Sequence, residues 1–124
     1  MQSLLNTISQ NGNFLVAGGR NQTGLLSGSE LFDPVTGEWT QTGSLNTARQ
    51  GYTILLETGK VLFAGGENNG ILTTAELYDP TSGTWTFTNP MSSPHNYFQP
   101  PIQLQNGKVL FIGEPCGYTC ELYD

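Results

Sequence analysis

Short apolar runs separated by turn residues recur along the chain, and residues 60–85 contain the complete unit. This stretch reads KVLFAGGENNGILTTAELYDPTSGTW, in which an apolar run ends in two glycines, a loop and an ELYDP segment follow, and a Trp closes the unit. The same order occurs upstream as FLVAGG, SELFDP and GEW, and downstream as KVLFIGE and CELYD. Equivalent residues lie about 47 positions apart, which predicts three structural copies of one module.

Each copy divides into four strand candidates, which we name strands a to d in chain order. In the second copy the pattern predicts strands over residues 51–57, 61–64, 74–78 and 84–88. Strand b, VLFA, is apolar at every position, which is typical of a strand buried on both faces. Strand d, TWTFT, alternates and indicates one wet face. A buried inner strand and a half-wet outer strand predict an all-β fold of four-stranded antiparallel sheets, the blades of a β-propeller.

Turn residues separate two kinds of connection between these strands. The a–b connections (Thr58-Gly59 and Asn106-Gly107) and the c–d connection DPTSG are short, and their composition is typical of tight turns. The b–c loops (20–29, 67–73) and d–a loops (43–49, 89–96) are longer and should lie on the opposite side of each sheet, where binding surfaces usually occur. The candidate ligand-binding residues on this side are Arg20, Arg49, Glu67, His95, Asn96 and Tyr97. For His95 an ordinary loop histidine is the favoured interpretation, with ligand contact as the alternative.

The three copies are unequal in extent. We predict one kelch-like region over 1–124, with blade 1 at about 1–42, blade 2 at about 43–89 and a partial blade 3 at about 90–124. The third copy has strands a to c, which gives a total of eleven strands. This number is too small for a closed propeller, which has roughly four to eight full blades. An incomplete ring would expose apolar faces. We therefore expect further blades or identical chains to complete it.

Composition narrows the classes of function. Four Lys and Arg against ten Asp and Glu give a formal net charge of −6, which nearly excludes a nucleic-acid binder because that class needs a basic footprint. No apolar run approaches the roughly 20 residues of a membrane span. The start MQSLLNTISQ does not resemble a signal peptide, and we expect either that a signal has been removed or that the chain is an excised fragment. An extracellular or cell-surface location is favoured.

The double glycine, the aromatic residue before Asp-Pro and the Trp recur together, and this combination resembles the kelch repeat with the cadence GKVLFAGG, AELYDP, TGEWT, GSLNTAR. The resemblance covers essentially the whole chain and implies β-propeller blades in which the diglycine ends strand b and an aromatic pair packs between blades. The matching residues are Gly18, Gly19, Gly65, Gly66, Phe32, Tyr78, Trp39 and Trp85. The third copy departs from the pattern, since Gly113-Glu114 replaces the diglycine and the Trp is absent.

Two sets of residues are candidates for chemistry, and both have structural explanations. Glutamates recur two places before the aromatic residue of strand c, as Glu30, Glu76 and Glu121 before Phe32, Tyr78 and Tyr123. A ring of carboxylates could bind a metal, but a buried charge must be paired, so we favour a structural role with a backbone N–H or an arginine such as Arg49 as partner. The recurring aspartates Asp33, Asp79 and Asp124 are interpreted as turn caps.

Cys116 and Cys120 are the only cysteines. In an extended strand they would lie roughly 13 Å apart, too far for a disulfide, but a turn at Gly117 would bring them together. We favour a disulfide that pins this loop, with free thiols as the alternative. A metal site is disfavoured because zinc usually takes four ligands and the chain has one His.

The favoured function is a non-catalytic binding or assembly module, without a cofactor, that recognises a protein or glycan through the b–c and d–a loops. One alternative is a structural protein that assembles into a ring or filament with other chains. The other is a fragment of a propeller enzyme. There the resemblance points to copper-radical oxidases of the galactose oxidase type, which need a Cys–Tyr crosslink, two His ligands and a further Tyr. This chain has one His, and Gln99 stands where a reactive Cys would be sought, so no enzyme is predicted.

Overall fold

The computed structural model describes residues 6–8, 12–92, 101–111 and 121–123, and the regular elements in these ranges are β-strands. The strands are β1 (Asn6–Ile8), β2 (Phe14–Ala17), β3 (Arg20–Asn21), β4 (Gly24–Leu25), β5 (Ser29–Asp33), β6 (Glu38–Thr42), β7 (Thr53–Leu55), β8 (Val61–Ala64), β9 (Ala75–Asp79), β10 (Thr84–Thr88), β11 (Ile102–Gln103), β12 (Val109–Phe111) and β13 (Glu121–Tyr123). Within these ranges no helix is long and apolar enough to cross a membrane.

Eleven of these strands form three antiparallel sheets in sequential order. The first, blade 1, has the order β1-β2-β5-β6; blade 2 has β7-β8-β9-β10; and blade 3 has β11-β12-β13. These described sheets contain eleven strands, which confirms the all-β prediction of up-and-down blades. The hairpin of β3 and β4, inside the first b–c loop, was not predicted. Two-residue strands joined by Gln22-Thr23 are too short to carry a periodic signal.

Blade 2 follows the predicted strands closely. Strands b and d coincide with β8 and β10, strand c is displaced by one residue, and strand a is shorter than predicted. Tyr78 pairs with Val61 on one side and with Trp85 on the other. In blade 1 the equivalent Phe32 pairs with Phe14 and Trp39, so the register of the repeat is the same.

Strand β8 lies at the centre of the core and is buried on both faces, as its unbroken apolar sequence predicts. Its side chains at Val61, Leu62 and Phe63 are at most 1% exposed. Val61 and Phe63 belong to a cluster with residues of blade 1, whereas Leu62 belongs to a second cluster that reaches β12. Alternate residues of one strand therefore hold blade 2 between its two neighbours, and apolar burial is the main stabilising contribution.

The tight turns have the geometry that their sequences indicate. In the c–d turns Asp33 and Asp79 accept backbone N–H bonds from the residues two places on, with distances of 2.8 and 2.9 Å, which confirms their role as turn caps. In the second a–b turn Gly59 has a φ of +89° and donates its N–H to the Leu56 carbonyl at 3.0 Å. Asp124 lies outside the described residues.

The outermost strand of blade 2 departs from simple alternation. Trp85 is covered by blade 1, where the Ser29 hydroxyl accepts its indole N–H at 3.1 Å. Phe87, two residues further on and on the same side of the strand, is nevertheless 56% exposed. Alternation in a sequence therefore indicates which side chains share a face, but not how far the neighbouring sheet extends over it.

Candidate functional site

The b–c loops of blades 1 and 2 and the d–a loop between them form one hydrogen-bonded surface, which we name the loop face (residues 19–28, 43–51 and 65–74). The d–a loop bonds to both b–c loops: the Gly19 N–H donates to the Arg49 carbonyl at 2.9 Å, and the Glu67 N–H donates to the Gln50 carbonyl at the same distance. The Asn68 side-chain amide adds a bond to the Ala48 carbonyl at 2.7 Å. The loops are therefore held against each other by backbone bonds on both sides.

Beneath the loop face, the carboxylate of Glu76 is fully buried and accepts four hydrogen bonds. One oxygen accepts from the backbone N–H of Asn46 at 2.7 Å and from its side-chain amide at 3.0 Å. The other accepts from the Thr47 N–H at 3.0 Å and from the Arg49 guanidinium at 3.1 Å. Because a buried charge is tolerated only when paired and hydrogen-bonded, this arrangement fixes the d–a loop against strand β9.

Arg49 is the counter-charge of Glu76 and is itself fully buried. Its guanidinium donates to the Gly65 carbonyl at 2.8 Å and to the Thr74 carbonyl at 2.9 Å, and it lies 5.6 Å from the ring centre of Phe63. Burial lowers the pKa of Arg49, and the charge of Glu76 opposes that effect. The side chain remains a cation. Because its side chain has no exposed surface, Arg49 holds the loops together from within and is not available to a ligand, which corrects its assignment as a ligand-binding residue.

The diglycine is required by this same packing. At Gly18, whose φ is +66°, an added Cβ would lie 2.3 Å from the backbone oxygen of Arg49. At Gly66 it would lie 2.5 Å from the Gln50 oxygen. Glycine ends strand b because the d–a loop passes directly over that point.

Gly18→Ala is therefore expected to destabilise the protein by roughly 2–3 kcal/mol, since it combines a left-handed backbone with a clash against a fixed carbonyl. The measurement is the free energy of unfolding in urea. Gly28→Ala is the matched control: no atom lies within 4 Å of its added Cβ, and the expected change is within about 0.5 kcal/mol. Equal losses in the two variants would contradict the close-approach explanation.

The exposed part of the loop face is polar apart from Ile71. Arg20 and Glu67 form an ion pair at 3.3 Å with side chains 50% and 26% exposed, so this pair joins the two b–c loops at the surface. Ile71 lies in the second of these loops and is 47% exposed. Asn69 in the same loop has a φ of +55° and lies at an exposed bend. Of the six predicted ligand-binding residues, Arg20 and Glu67 are thus together on the loop face. His95, Asn96 and Tyr97 lie outside the described residues.

The repeated aromatic residues differ sharply in burial between blades. Trp85 is 5% exposed and packs 5.2 Å from Tyr78, ring centre to ring centre. Trp39 occupies the same position in blade 1, 4.8 Å from Phe32, but is 55% exposed. Glu30, the equivalent of Glu76, is only half-buried and borders a cleft of about 240 Å³. The blade 1 face that carries these residues therefore lacks the cover that blade 1 gives to blade 2.

Sequence reasoning missed the other members of the Glu76 network. Asn46 and Thr47 donate three of the four hydrogen bonds to the carboxylate. The Thr74 hydroxyl accepts a hydrogen bond from the Arg49 guanidinium at 3.0 Å. The sequence did contain a signal for them, since the LNTAR segment before strand a includes Asn46 and Thr47 together with Arg49.

The side chain of Glu121, together with Cys116 and Cys120, lies outside what the structure describes. Among the described residues no three His, Cys, Asp or Glu side chains lie close enough to hold a metal ion.

Comparison with known proteins agrees with the architecture. Residues 58–92, which span β8 to β10, match the model of the Kelch motif. No curated protein matches the chain significantly. Among solved structures, a fungal alcohol oxidase of the AA5 family in complex with copper superposes with a TM-score of 0.70 at 22% sequence identity, over 94% of this chain and 27% of that one. This likeness concerns the fold. The chain therefore carries a Kelch motif at residues 58–92 within a fold of β-propeller blades.

Proposed function

We propose that this kelch module is non-catalytic and recognises a protein or glycan through its loop face. The observation that carries the proposal is the combination of a fixed scaffold and an exposed polar surface. Backbone bonds hold the three loops together, and the side chains of the Arg20–Glu67 pair and Asn69 lie at their surface. A surface that is ordered before binding loses less conformational entropy when a ligand docks.

The use of the repeated charged residues supports a binding role over catalysis. Both carboxylate oxygens of Glu76 accept hydrogen bonds from the d–a loop, and the Arg49 guanidinium donates one of them. Side chains that are buried and saturated in this way stabilise the blade and do not act on a substrate. Turnover of an alcohol by the copper-loaded protein would instead favour the oxidase alternative, which the fungal neighbour suggests by its fold alone.

The test uses a printed glycan array and a peptide phage library, followed by affinity measurement for the best ligand of each. Arg20→Ala and Asn69→Gly should weaken binding roughly tenfold, because interface energy is concentrated in a few exposed polar and aromatic anchors. The control is Val35→Ser on the opposite side, where Val35 is 91% exposed in a c–d turn. Loss of affinity in the control alone, or equal affinity in all variants, would contradict recognition by the loop face.

One observation favours assembly as a second candidate function. The exposed face of blade 1 carries the ring series Phe14, Phe32 and Trp39, with centres 6.5 and 4.8 Å apart. In blade 2 the same positions are covered by blade 1, so another kelch blade is the partner that fits this face. Light scattering distinguishes the candidates, since assembly requires a solution mass above that of one chain.

A further inference from the structure

We propose that Asn69 is a site of spontaneous covalent modification, at which the side-chain amide becomes a carboxylate through a cyclic imide formed with the nitrogen of Gly70. Water is the one co-reactant. The site lies on the loop face, in the b–c loop of blade 2. The reaction does not depend on recognition of a ligand by that face.

The chemistry requires an asparagine followed by a residue that does not hinder its own nitrogen. The Gly70 nitrogen gives up its proton to the solvent and bonds to Cγ of Asn69, while the Nδ2 group takes up a proton and leaves as ammonia. Water then opens the imide at one of its two carbonyl carbons, which gives aspartate or isoaspartate. Because glycine has no Cβ, it obstructs this attack less than any other residue.

The sequence contains three Asn-Gly pairs, and the structure distinguishes two of them. Asn69-Gly70 and Asn106-Gly107 both lie where the chain reverses, and both asparagine side chains are exposed. Asn11, of the third pair, lies outside the described residues. Exposure to water does not separate the two described pairs, so their difference lies in their hydrogen bonds.

At Asn106-Gly107 both reacting groups are engaged. The Gly107 N–H donates to the Leu104 carbonyl at 3.0 Å. The side-chain oxygen of Asn106 accepts the Lys108 N–H at 3.1 Å. Closure of the imide would have to break the first bond to free the nitrogen and the second to turn the side chain. This a–b turn therefore protects its asparagine.

At Asn69-Gly70 the reacting groups have no such restraint. Within the described part of the chain, neither the Gly70 N–H nor the Asn69 side chain makes a hydrogen bond. The bend is closed by the Asn68 N–H, which donates to the Gly70 carbonyl at 2.9 Å and leaves the Gly70 nitrogen unbound. The surroundings are also open, since a Cβ added at Gly70 would meet no atom within 4 Å. The imide can therefore form without the loss of a hydrogen bond.

The product places a new charge on the loop face. Aspartate or isoaspartate at this position adds a carboxylate to the loop that contains Glu67, whose own charge is paired with Arg20 at 3.3 Å. Isoaspartate also lengthens the main chain of the loop by one methylene. An effect on ligand affinity rests on the proposed function, whereas the modification itself is measured without any ligand.

The first experiment incubates the full chain in mildly alkaline buffer and follows both sites by mass spectrometry of chymotryptic peptides. Conversion of the amide to an acid changes the peptide mass, and labelling by an isoaspartate methyltransferase identifies the isomer. Modification at Asn69 should be faster than at Asn106 by on the order of fivefold, the factor that corresponds to one intramolecular hydrogen bond. Equal rates at the two sites, or a faster rate at Asn106, would overturn the proposal.

The matched control for local sequence is the same chain unfolded in urea. Both turns are then lost, and the two rates should converge because each asparagine is followed by glycine. If the ratio of rates in urea equals the ratio in the folded chain, the neighbouring residues in the sequence set the difference. That result would overturn the protection by hydrogen bonds on which the proposal depends.

A variant identifies the amide that reacts. Asn69→Gln keeps an amide at the same position, but its side chain is too long to close the same ring. The mass change should disappear from the peptide that contains this position, and the rate at Asn106 should stay the same. A mass change that persists in that peptide would assign the reaction to Asn68 and overturn the proposal.

Discussion

Replacing Arg49 by leucine should destabilise the protein by about 3–5 kcal/mol, the usual cost of removing one partner of a buried ion pair. Glu76 would keep its bonds from Asn46 and Thr47 but would remain a fully buried carboxylate without a counter-charge. The Gly65 carbonyl would also lose its bond from Arg49, and the Thr74 carbonyl would keep only the bond from the Gly65 N–H. The measurement is the free energy of unfolding from urea denaturation monitored by tryptophan fluorescence.

The chain contains its own control for this experiment. Arg20 and Glu67 are also an Arg–Glu pair between loops, at 3.3 Å, but both side chains are partly exposed. Exposed pairs contribute about 0–1 kcal/mol, so Arg20→Leu should have a small effect. If both substitutions cost the same small amount, burial would not be what makes the Arg49 contact important. Addition of Glu76→Leu to Arg49→Leu should recover part of the loss, because it removes the unpaired charge.

These residues also show which features of the fold and of the site could be predicted from the sequence. Strand β8 and the c–d turns were predicted correctly because the causes are local: an unbroken apolar run, and an aspartate followed by proline and glycine. The chemical type of the group that pairs with Glu76, a backbone N–H or an arginine, was also predicted. The structural role of Glu76 follows from that pairing.

What the sequence left open depends on neighbours that are distant along the chain. Arg49 lies on a loop, and loops usually face solvent; its burial results from Gly65, Thr74 and Glu76, which lie 16 to 27 residues away. Trp39 and Trp85 occupy the same place in the repeat, and no local pattern distinguishes them. Their burial differs because one has a blade over it in this chain and the other does not. Periodicity therefore predicts the blade, but the site depends on how blades meet.

Replacing Trp85 by alanine is expected to cost about 3–5 kcal/mol, as is usual for removal of a large aromatic side chain from a core. Its ring lies between blades, 5.2 Å from Tyr78 and 6.4 Å from Phe63, so its loss opens a cavity in the cluster that joins blade 1 to blade 2. The Ser29 hydroxyl would also lose its bond to the indole in a buried position. Urea denaturation followed by far-ultraviolet circular dichroism measures this loss without relying on tryptophan emission.

Trp39→Ala is the matched control, because it removes the same side chain from the same position of the repeat. Trp39 is 55% exposed and has Phe32 as its ring neighbour, so the isolated chain should lose on the order of 1 kcal/mol. Iodide should quench the fluorescence of Trp39 strongly and that of Trp85 weakly, and each single variant isolates one of the two signals. If Trp39 is shielded from iodide and its removal costs as much as that of Trp85, then blade 1 is covered in solution by another blade. Because burial at this position requires a neighbouring blade, one pair of substitutions measures both the stability of the interface between blades and whether the free face is occupied.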